Sequence, residues 1–134
     1  MTRVFLDANV LFSAAWRTGC GLTRLWHIES NRLVTSPYAA HEAERNLARK
    51  RSDAVAPLTA LLHRVEITSA LVALDEAHGL PTEDVPILAA AVASHCEVLL
   101  TGDVADFGHL IGRTVQGVRI LTARMLLTEM ERPT

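Results

Sequence analysis

The sequence predicts an α/β domain in which helices cover both faces of a parallel sheet. Short apolar runs of strand length alternate along the chain with longer segments at helical spacing, which is the order that a parallel sheet requires. Hydrophobic residues make up 49% of the 134 residues, so the chain has enough apolar surface for a core and is not expected to be disordered. We therefore expect residues 1–134 to form one domain.

Three strands and four helices are predicted in the first half of the chain. The strands are short and lie at 3–6, 32–35 and 64–68. The helices cover 9–16, 20–30, 36–50 and 53–63. The start at Ser36 and Pro37 has the clearest signal, because serine is a good N-cap and proline suits the first helical turn. The helix that begins there should continue to about Lys50.

The second half of the chain is organised around residues 83–107, EDVPILAAAVASHCEVLLTGDVADF. Helical spacing of the apolar stripe from Ile87 to His95 predicts a helix, and Pro86 fits its first turn. A strand buried on both faces is predicted at 98–100. The other elements predicted here are a helix over 70–78, a strand at 118–121 and a terminal helix over 123–130. Five strands therefore alternate with helices through the chain.

The charges argue against a nucleic-acid binder that works through bulk positive charge. The formal net charge is -2, and lysine occurs once. A local basic cluster is nevertheless present at Arg45, Arg49, Lys50 and Arg51. Arginine binds phosphate through paired hydrogen bonds, so this cluster could hold RNA. The alternative interpretation is a solvated helix end with favourably placed cations.

Neither a membrane segment nor a disulfide framework is expected. The longest uncharged apolar run, residues 85–94, is too short to cross a bilayer, and the N-terminus lacks the pattern of a signal peptide. Cys20 and Cys96 are too few and too isolated to indicate a metal site or disulfides. These features predict a cytoplasmic protein with reduced thiols.

Three aspartates are predicted to meet at one edge of the sheet. Asp7, Asp84 and Asp103 follow strands or begin helices, and these positions share the carboxyl edge of a parallel sheet, where ligands bind. Taken singly, each has a structural explanation as a helix cap, a first-turn acid or a turn residue. Together, their carboxylates would repel unless a cation were bound, and oxygen ligands without histidine or cysteine favour Mg²⁺ or Mn²⁺. Such an ion suits phosphate-ester chemistry.

Other polar residues near these aspartates are open to more than one interpretation. Glu42 and Glu44 flank the predicted buried side of their helix symmetrically, so periodicity does not choose between them. Each could also be a surface acid that pairs with a nearby arginine. Asn9 could support Asp7, and Thr101 could position a group that binds beyond the 98–100 strand.

Four segments resemble the motifs of PIN domains, the small ribonuclease fold of VapC-type toxins in toxin–antitoxin pairs. They are FLDANVL around Asp7, SPYAAHEAERNL around Glu42, EDVPILAAAV around Asp84 and LLTGDVADF around Asp103. The resemblance covers essentially the whole chain. It implies an acidic quartet made of these four residues, within a PIN-like five-stranded parallel sheet in which the first and fourth strands are neighbours.

The resemblance also decides between the two glutamates and adds one acid. The family pattern places its second acid six residues after a serine, here Ser36, which selects Glu42 over Glu44. Asp106 matches a further acid of the last motif and is expected to have a secondary role. No position of the quartet is lost, so an active enzyme is expected.

The implied activity is metal-dependent hydrolysis of RNA phosphodiester bonds. Asp7, Asp84 and Asp103 would hold Mg²⁺ or Mn²⁺, with Glu42 as a further ligand or as the group that orients the attacking water. Attack by water in line on phosphorus would leave a 5′-phosphate and a 3′-hydroxyl. The partners implied by the resemblance are RNA, a cognate antitoxin protein and a second copy of the chain.

Three alternatives remain at this point. The first is a PIN nuclease that processes RNA without being a toxin. The second is a non-catalytic interaction module that keeps the fold, which the complete quartet argues against. The third is a phosphorylated receiver-like domain, which would need a lysine late in the chain, whereas Lys50 is the only lysine.

Overall fold

The first strand lies in the middle of a six-stranded sheet. The computed structural model describes residues 1–17 and 19–131. The strands are β1 (Thr2–Leu6), β2 (Asn31–Thr35), β3 (Glu66–Ile67), β4 (Val98–Leu100), β5 (Thr114–Val115) and β6 (Val118–Leu121). Their order across the sheet is β3-β2-β1-β4-β6-β5, and every neighbouring pair is parallel except β5 with β6. The predicted α/β class with a parallel sheet is therefore confirmed.

Among the described residues, six α-helices and two 3₁₀ helices accompany the sheet. The α-helices are α1 (Ala8–Trp16), α2 (Pro37–Lys50), α3 (Val55–Leu62), α4 (Val85–Ala93), α5 (Val104–Phe107) and α6 (Ala123–Glu131). The 3₁₀ helices are Gly21–His27 and Ser52–Ala54. Helix α1 packs against α2 and α3, which places one side of α2 beside the end of β1.

The sheet has one strand more than the five predicted. The additional strand, β5, pairs antiparallel with β6 across a two-residue turn at Gln116 and Gly117. Both turn residues have positive φ, 49° and 85°, as tight hairpin turns that match the strand twist require. Glutamine is seldom found at positive φ, so the sequence carried no recognisable hairpin signal there.

The prediction of a helix over 70–78 is wrong. This segment is irregular and mostly exposed. Leu71 and Val72 are 70% and 43% exposed, and Leu74 alone among its apolar residues packs against the core. A short helix without a buried face is not stable in water, which explains why the pattern alone was misleading. The chain reverses at His78 and Gly79, both at positive φ.

Two other predicted helices have different ends or a different type. The segment predicted as a helix over 20–30 is a 3₁₀ helix that ends at His27. Helix α4 ends at Ala93, before His95, which is exposed and has φ of 58° rather than continuing the apolar stripe. Pro86 does lie in the first turn of α4, as expected.

Helix α2 begins and ends where the sequence predicts. The Ser36 hydroxyl accepts a hydrogen bond of 3.1 Å from the amide of Ala39, and Pro37 follows as the first helical residue. Ala39, Ala43 and Leu47 form the buried side of the helix. The start and the buried side of α2 therefore fix which of its other side chains face the end of β1 and which face solvent.

The order of the strands reverses between β1 and β4. The chain runs from β1 through β2 to β3 on one side, then crosses to β4 and β6 on the other side. The amide of Asp7 donates to the carbonyl of Leu100 at 3.1 Å, so the two strands stay paired up to their carboxyl ends. Ligands of open α/β sheets bind outside such a reversal point. Among the described residues, no helix has both the length and the apolar character needed to cross a membrane.

We expect Ser36→Ala to lower the free energy of unfolding by about 1 kcal/mol, because the first turn of α2 loses its side-chain cap. Urea denaturation followed by circular dichroism measures this loss. Ser52→Ala is the matched control, since Ser52 is exposed and its side chain makes no hydrogen bond within the described residues. Equal losses in the two variants would contradict the capping role.

Candidate active site

Four carboxylates line a cleft of about 280 Å³ outside the carboxyl ends of β1 and β4. They belong to Asp7, Glu42, Asp84 and Asp103. The polar and aromatic residues of the lining are Asn9, Phe12, Ser13, Asn46 and Lys50. Four acids predicted from separate segments of the sequence therefore lie in one small space at the reversal point of the sheet.

Asp7 is the most buried of these acids, with 4% of its surface exposed. Its Oδ1 accepts from the Ala8 amide at 2.7 Å, and its Oδ2 accepts from the Thr101 hydroxyl at 2.9 Å and from the Asn9 side-chain amide at 3.3 Å. Burial raises the pKa of Asp7 to about 6, although the bonds from Thr101 and Ala8 act in the opposite direction. Asp7 therefore caps α1 and also presents a carboxylate to the cleft.

Asn9 and Thr101 connect the end of β1 to the end of β4. The Asn9 side-chain oxygen accepts from the Gly102 amide at 2.7 Å, and the Thr101 hydroxyl accepts from the Asp103 amide at 3.1 Å. A β-carbon at Gly102 would lie 3.3 Å from this Asn9 oxygen, so glycine allows the close approach. The two residues thus hold Asp7 and the start of the Asp103 segment together.

Asp84 occupies the N-cap position of α4, but its side chain makes no hydrogen bond to the helix amides. Its Oδ2 is buried and has no hydrogen-bond partner among residues 1–17 and 19–131. Burial, followed by the proximity of Asp106, raises the pKa of Asp84 to about 8. A buried carboxylate oxygen without a donor, among other carboxylates, is in the position that a bound cation stabilises.

A second group of acids adjoins the cleft and shares Asp84 with it. The Asp103 side chain accepts from the Asp106 amide at 3.0 Å and so begins the short helix α5. This turn brings Asp106 to Asp84, and carboxylate oxygens of Glu83, Asp84 and Asp106 all lie within 4.8 Å of one another. The sequence analysis did not single out Glu83, and its place next to Asp84 in the sequence was the available signal.

The geometry separates the two glutamates that periodicity left equivalent. Glu42 lines the cleft, and its negative charge is one of the contributions that raise the pKa of Asp7, after burial. Glu44 is exposed and makes no contact with the cleft. Asn46, one turn after Glu42, also faces the cleft, a role that the sequence analysis missed.

Of the predicted basic cluster, Lys50 lines the cleft, and its Nζ lies 5.7 Å from the centre of the Phe12 ring. Arg51 donates to the Trp16 carbonyl at 2.6 Å and pairs with a neighbouring aspartate. Arg45 and Arg49 are exposed and make no hydrogen bond or ion pair within the described residues. The structure therefore places one cation of the cluster at the acids and the other three outside the cleft.

A larger groove of about 630 Å³ lies at the opposite edge of the sheet. Its half-buried carboxylate, Glu66, is paired with Arg3 at 2.7 Å and with Arg32 at 3.6 Å. The hydrogen bond from Arg3 is the main reason that the pKa of Glu66 is lowered. Since two guanidinium groups already neutralise this acid, the groove is not a candidate for binding a metal ion.

The comparisons with known proteins identify the fold. No family model and no curated protein matches the sequence. Solved structures do match: VapBC2 from Rickettsia felis bound to a DNA fragment from their promoter has a TM-score of 0.67 at 14% identity, over 90% of this chain and 98% of that chain. DNA-bound VapBC from Salmonella typhimurium has a TM-score of 0.64 at 14% identity, over 92% and 99%.

A third similar structure is that of a loop-cleaving toxin. VapC20 from Mycobacterium tuberculosis, a sarcin-ricin loop cleaving toxin, has a TM-score of 0.54 at 17% identity, over 75% of this chain and 91% of that chain. At such identities the likeness establishes the fold. The expected PIN-like fold of VapC-type toxins is therefore confirmed.

In EDTA, we expect the free energy of unfolding to fall as the pH rises from about 5 to about 8. The pKa values of Asp7 and Asp84 are higher in the folded protein than their ordinary value of 3.8, so the folded state binds more protons across this window. Each rise of pH then favours the unfolded state. For Asp7 the shift lowers the free energy of unfolding by at most about 3 kcal/mol, and this loss is complete at pH values above the folded pKa. Urea denaturation at a series of pH values measures the slope.

An isosteric pair of variants isolates the contribution of the cleft. Asp84→Asn should be more stable than the unsubstituted protein at pH 8 and should show a shallower pH dependence. Glu44→Gln, which removes an exposed acid from α2, should follow the unsubstituted protein. A slope that Asp84→Asn leaves unchanged would show that Asp84 does not titrate in this window.

Proposed function

We propose that this protein is a metal-dependent endoribonuclease of the PIN-domain type and the toxin of a type II toxin–antitoxin pair. The observation that carries the proposal is the cleft at the sheet reversal, which four carboxylates line and in which one of them, Asp84, has a buried oxygen without a hydrogen-bond donor among the described residues. The fold shared with VapC structures supports the same assignment. We further propose that residues 1–134 act as one domain in the cytoplasm.

The residues of the cleft suit a hard divalent cation. Asp7, Asp84 and Asp103 would hold Mg²⁺ or Mn²⁺, because carboxylate oxygens are the ligands that these ions prefer. When bound, such an ion would neutralise the charge that develops on the phosphate and activate water. Asp106 would act in a secondary role beside Asp84.

The other side chains of the cleft would position the reactants. Glu42 would orient the attacking water by accepting a hydrogen bond from it, and attack in line on phosphorus would leave a 5′-phosphate and a 3′-hydroxyl. Asn9 and Thr101 would keep the Asp7 carboxylate in place. Lys50 would contact an RNA phosphate, with Arg45, Arg49 and Arg51 as the wider basic surface.

A cognate antitoxin and a second copy of the chain are the proposed protein partners. Two of the similar structures are VapBC structures bound to DNA, one of them to a promoter fragment, which supports an antitoxin partner. A neighbouring gene for a small protein with an arginine-bearing C-terminal tail would distinguish a toxin from an RNA-processing nuclease. Loss of toxicity on co-expression of that protein is the corresponding measurement.

We expect Asp7→Asn to abolish cleavage while the fold is retained. Asparagine keeps an oxygen for the Ala8 amide and removes a buried charge, whereas its amide nitrogen cannot accept the bonds from Thr101 and Asn9. These effects on stability oppose each other, so the circular dichroism spectrum should stay that of the folded protein. The rate should fall at least about a hundredfold, the order that loss of one transition-state-stabilising group costs. The measurement is cleavage of labelled structured RNAs in Mg²⁺ or Mn²⁺, with EDTA as the metal-free control.

Asp75→Asn provides a matched control, because Asp75 is an exposed acid in the irregular segment before Gly79. All proteins must pass through the same purification, so that a contaminating ribonuclease would appear in every sample. Cleavage that survives in Asp7→Asn would contradict the assignment. If the unsubstituted protein neither cleaves RNA nor binds Mn²⁺, a non-catalytic interaction module is favoured instead.

A further inference from the structure

The chain that leads to Asp84 has no regular structure of its own. Residues 68–84, between β3 and α4, form neither helix nor strand. Two of its main-chain hydrogen bonds are local turns, from the amide of Leu80 to Ala77 at 3.0 Å and from the amide of Asp84 to Pro81 at 2.9 Å. Such turns do not join the segment to the sheet. Contacts with other elements therefore decide how closely this segment approaches the rest of the site.

One such contact is made by the ring of His109, which lies on the turn at His78 and Gly79. Its Nε2 is 2.6 Å from the carbonyl oxygen of His78. Because a carbonyl oxygen only accepts, this nitrogen carries a proton and donates it. A β-carbon on Gly79, whose φ is 74°, would lie 2.9 Å from the same nitrogen. Glycine is therefore needed both for the turn and for the close approach of the ring.

A short and well-anchored piece of chain joins His109 to Asp106. Phe107 and Leu110 are buried, and the amide of Leu110 donates to the carbonyl of Phe107 at 2.8 Å. His109 lies between these two anchors, three residues after Asp106. A displacement of its main chain would have to move two buried side chains, so His109 keeps a fixed position relative to Asp106.

The side chain of His78 joins the same turn to the hairpin of β5 and β6. Its Nε2 lies 3.0 Å from Oε1 of Gln116, the turn residue with positive φ. Its Nδ1 lies 3.1 Å from a carboxylate oxygen of Glu76, and only 18% of the side chain is exposed. The turn is therefore held both by His109 and by the hairpin.

The same two segments also meet at their carboxylates, and that contact is repulsive when a cation is to be bound. Oxygens of Asp84 and Asp106 lie within 4.8 Å of each other. Metal ligands must be deprotonated, and two ionised carboxylates repel. The bond from His109 to the His78 carbonyl joins these segments six residues before Asp84 and three residues after Asp106. It therefore opposes the separation that the carboxylate charges favour.

We propose that His109 is a positioning residue, which holds the Asp84 segment beside Asp106 and so sets the affinity of the carboxylate site for its divalent cation. The inference rests on the nuclease function proposed above. His109 does not line the cleft, so it acts through the two acids and not on the reactants. A site whose carboxylates are already together binds a cation without first ordering a segment of chain, and that ordering would cost free energy of binding.

The first experiment measures Mn²⁺ binding in the absence of RNA, from the electron paramagnetic resonance signal of the free ion. His109→Leu should weaken binding about tenfold, the low end of what the loss of an outer-shell partner costs a metal site. His109→Gln, whose side-chain amide can donate to the His78 carbonyl, should bind nearly as tightly as the unsubstituted protein. His63→Leu is the matched control, because His63 is exposed and its side chain makes no hydrogen bond within the described residues.

A pair of glycine variants tests the close approach from the other side. In Gly79→Ala the new β-carbon should displace the His109 ring and break its bond, so the Mn²⁺ affinity should fall as in His109→Leu. Gly112→Ala strains a similar φ of 86°, but its β-carbon would meet nothing within 4 Å. The Mn²⁺ affinity of Gly112→Ala should therefore be retained, and urea denaturation gives the loss of stability that the two variants share.

Amide hydrogen exchange in EDTA measures the positioning without any metal. The amide of Leu80 takes part in the turn next to Gly79, and it should exchange faster in His109→Leu than in the unsubstituted protein. Added Mn²⁺ should narrow the difference, because the cation then holds the two acids together. The amides of α2 should exchange alike in both proteins.

Cleavage of RNA over a series of Mn²⁺ concentrations separates positioning from catalysis. His109→Leu should need about tenfold more Mn²⁺ for half-maximal cleavage, in line with its weaker binding. The rate at saturating Mn²⁺ and the KM for RNA should stay unchanged, because His109 contacts neither the reacting phosphate nor the attacking water.

The outcomes separate this inference from the nuclease proposal. Cleavage by the unsubstituted protein, with unchanged Mn²⁺ affinity in His109→Leu, would overturn the positioning role alone. Weaker Mn²⁺ binding in His109→Leu, without cleavage by any of the proteins, would support the positioning role and contradict the nuclease. No Mn²⁺ binding by the unsubstituted protein would overturn both.

The controls decide whether a loss of affinity depends on the bond. Equal losses in His109→Leu and His109→Gln, or in His109→Leu and His63→Leu, would overturn the positioning role. So would equal losses in the two glycine variants, unchanged exchange at Leu80, or a lower rate of His109→Leu at saturating Mn²⁺. If His109→Leu does not fold, the glycine pair decides between the same outcomes.

Discussion

The burial of carboxylates in one small space is the constraint on which this structure depends. Asp7 is nearly inaccessible and Asp84 has a buried oxygen without a donor, so both charges oppose folding unless something compensates them. Part of the compensation is the bonding of Asp7 by Ala8, Asn9 and Thr101. The pairing of β1 with β4 fixes the positions of these donors, so the site forms together with the centre of the sheet.

The sequence predicted the arrangement of the acids because strand ends and a helix start fix where they lie. Asp7 and Asp103 come directly after strands, and parallel neighbours bring their carboxyl ends to one edge. The cap at Ser36 fixed the start of α2, so the position of Glu42 on its face was also determined within one turn. Periodicity left open the choice between Glu42 and Glu44, which lie on either side of the buried stripe of α2. That choice depends on which other elements each side of the helix faces.

The features that the sequence did not reveal depend on contacts between distant segments. Asp106 approaches Asp84 because the short helix α5 begins at Asp103, a turn too short for any periodic signal. The 70–78 segment has the composition of a helix but buries only Leu74 among its apolar residues, and burial of a whole face decides helix formation at that length. The basic cluster likewise looked uniform in sequence, whereas the helix directs Lys50 to the acids and Arg49 away from the cleft.

The two margins of the sheet, β3 and β5, are only two residues long. One carries Glu66, whose charge is paired across the sheet with Arg3, and the other turns back at once through Gln116. Unpaired amide and carbonyl groups along a sheet margin are what allow separate molecules to add strands to one another. Because so little main chain is free there, the brevity of its outer strands protects this sheet against templated aggregation when the protein is crowded or abundant.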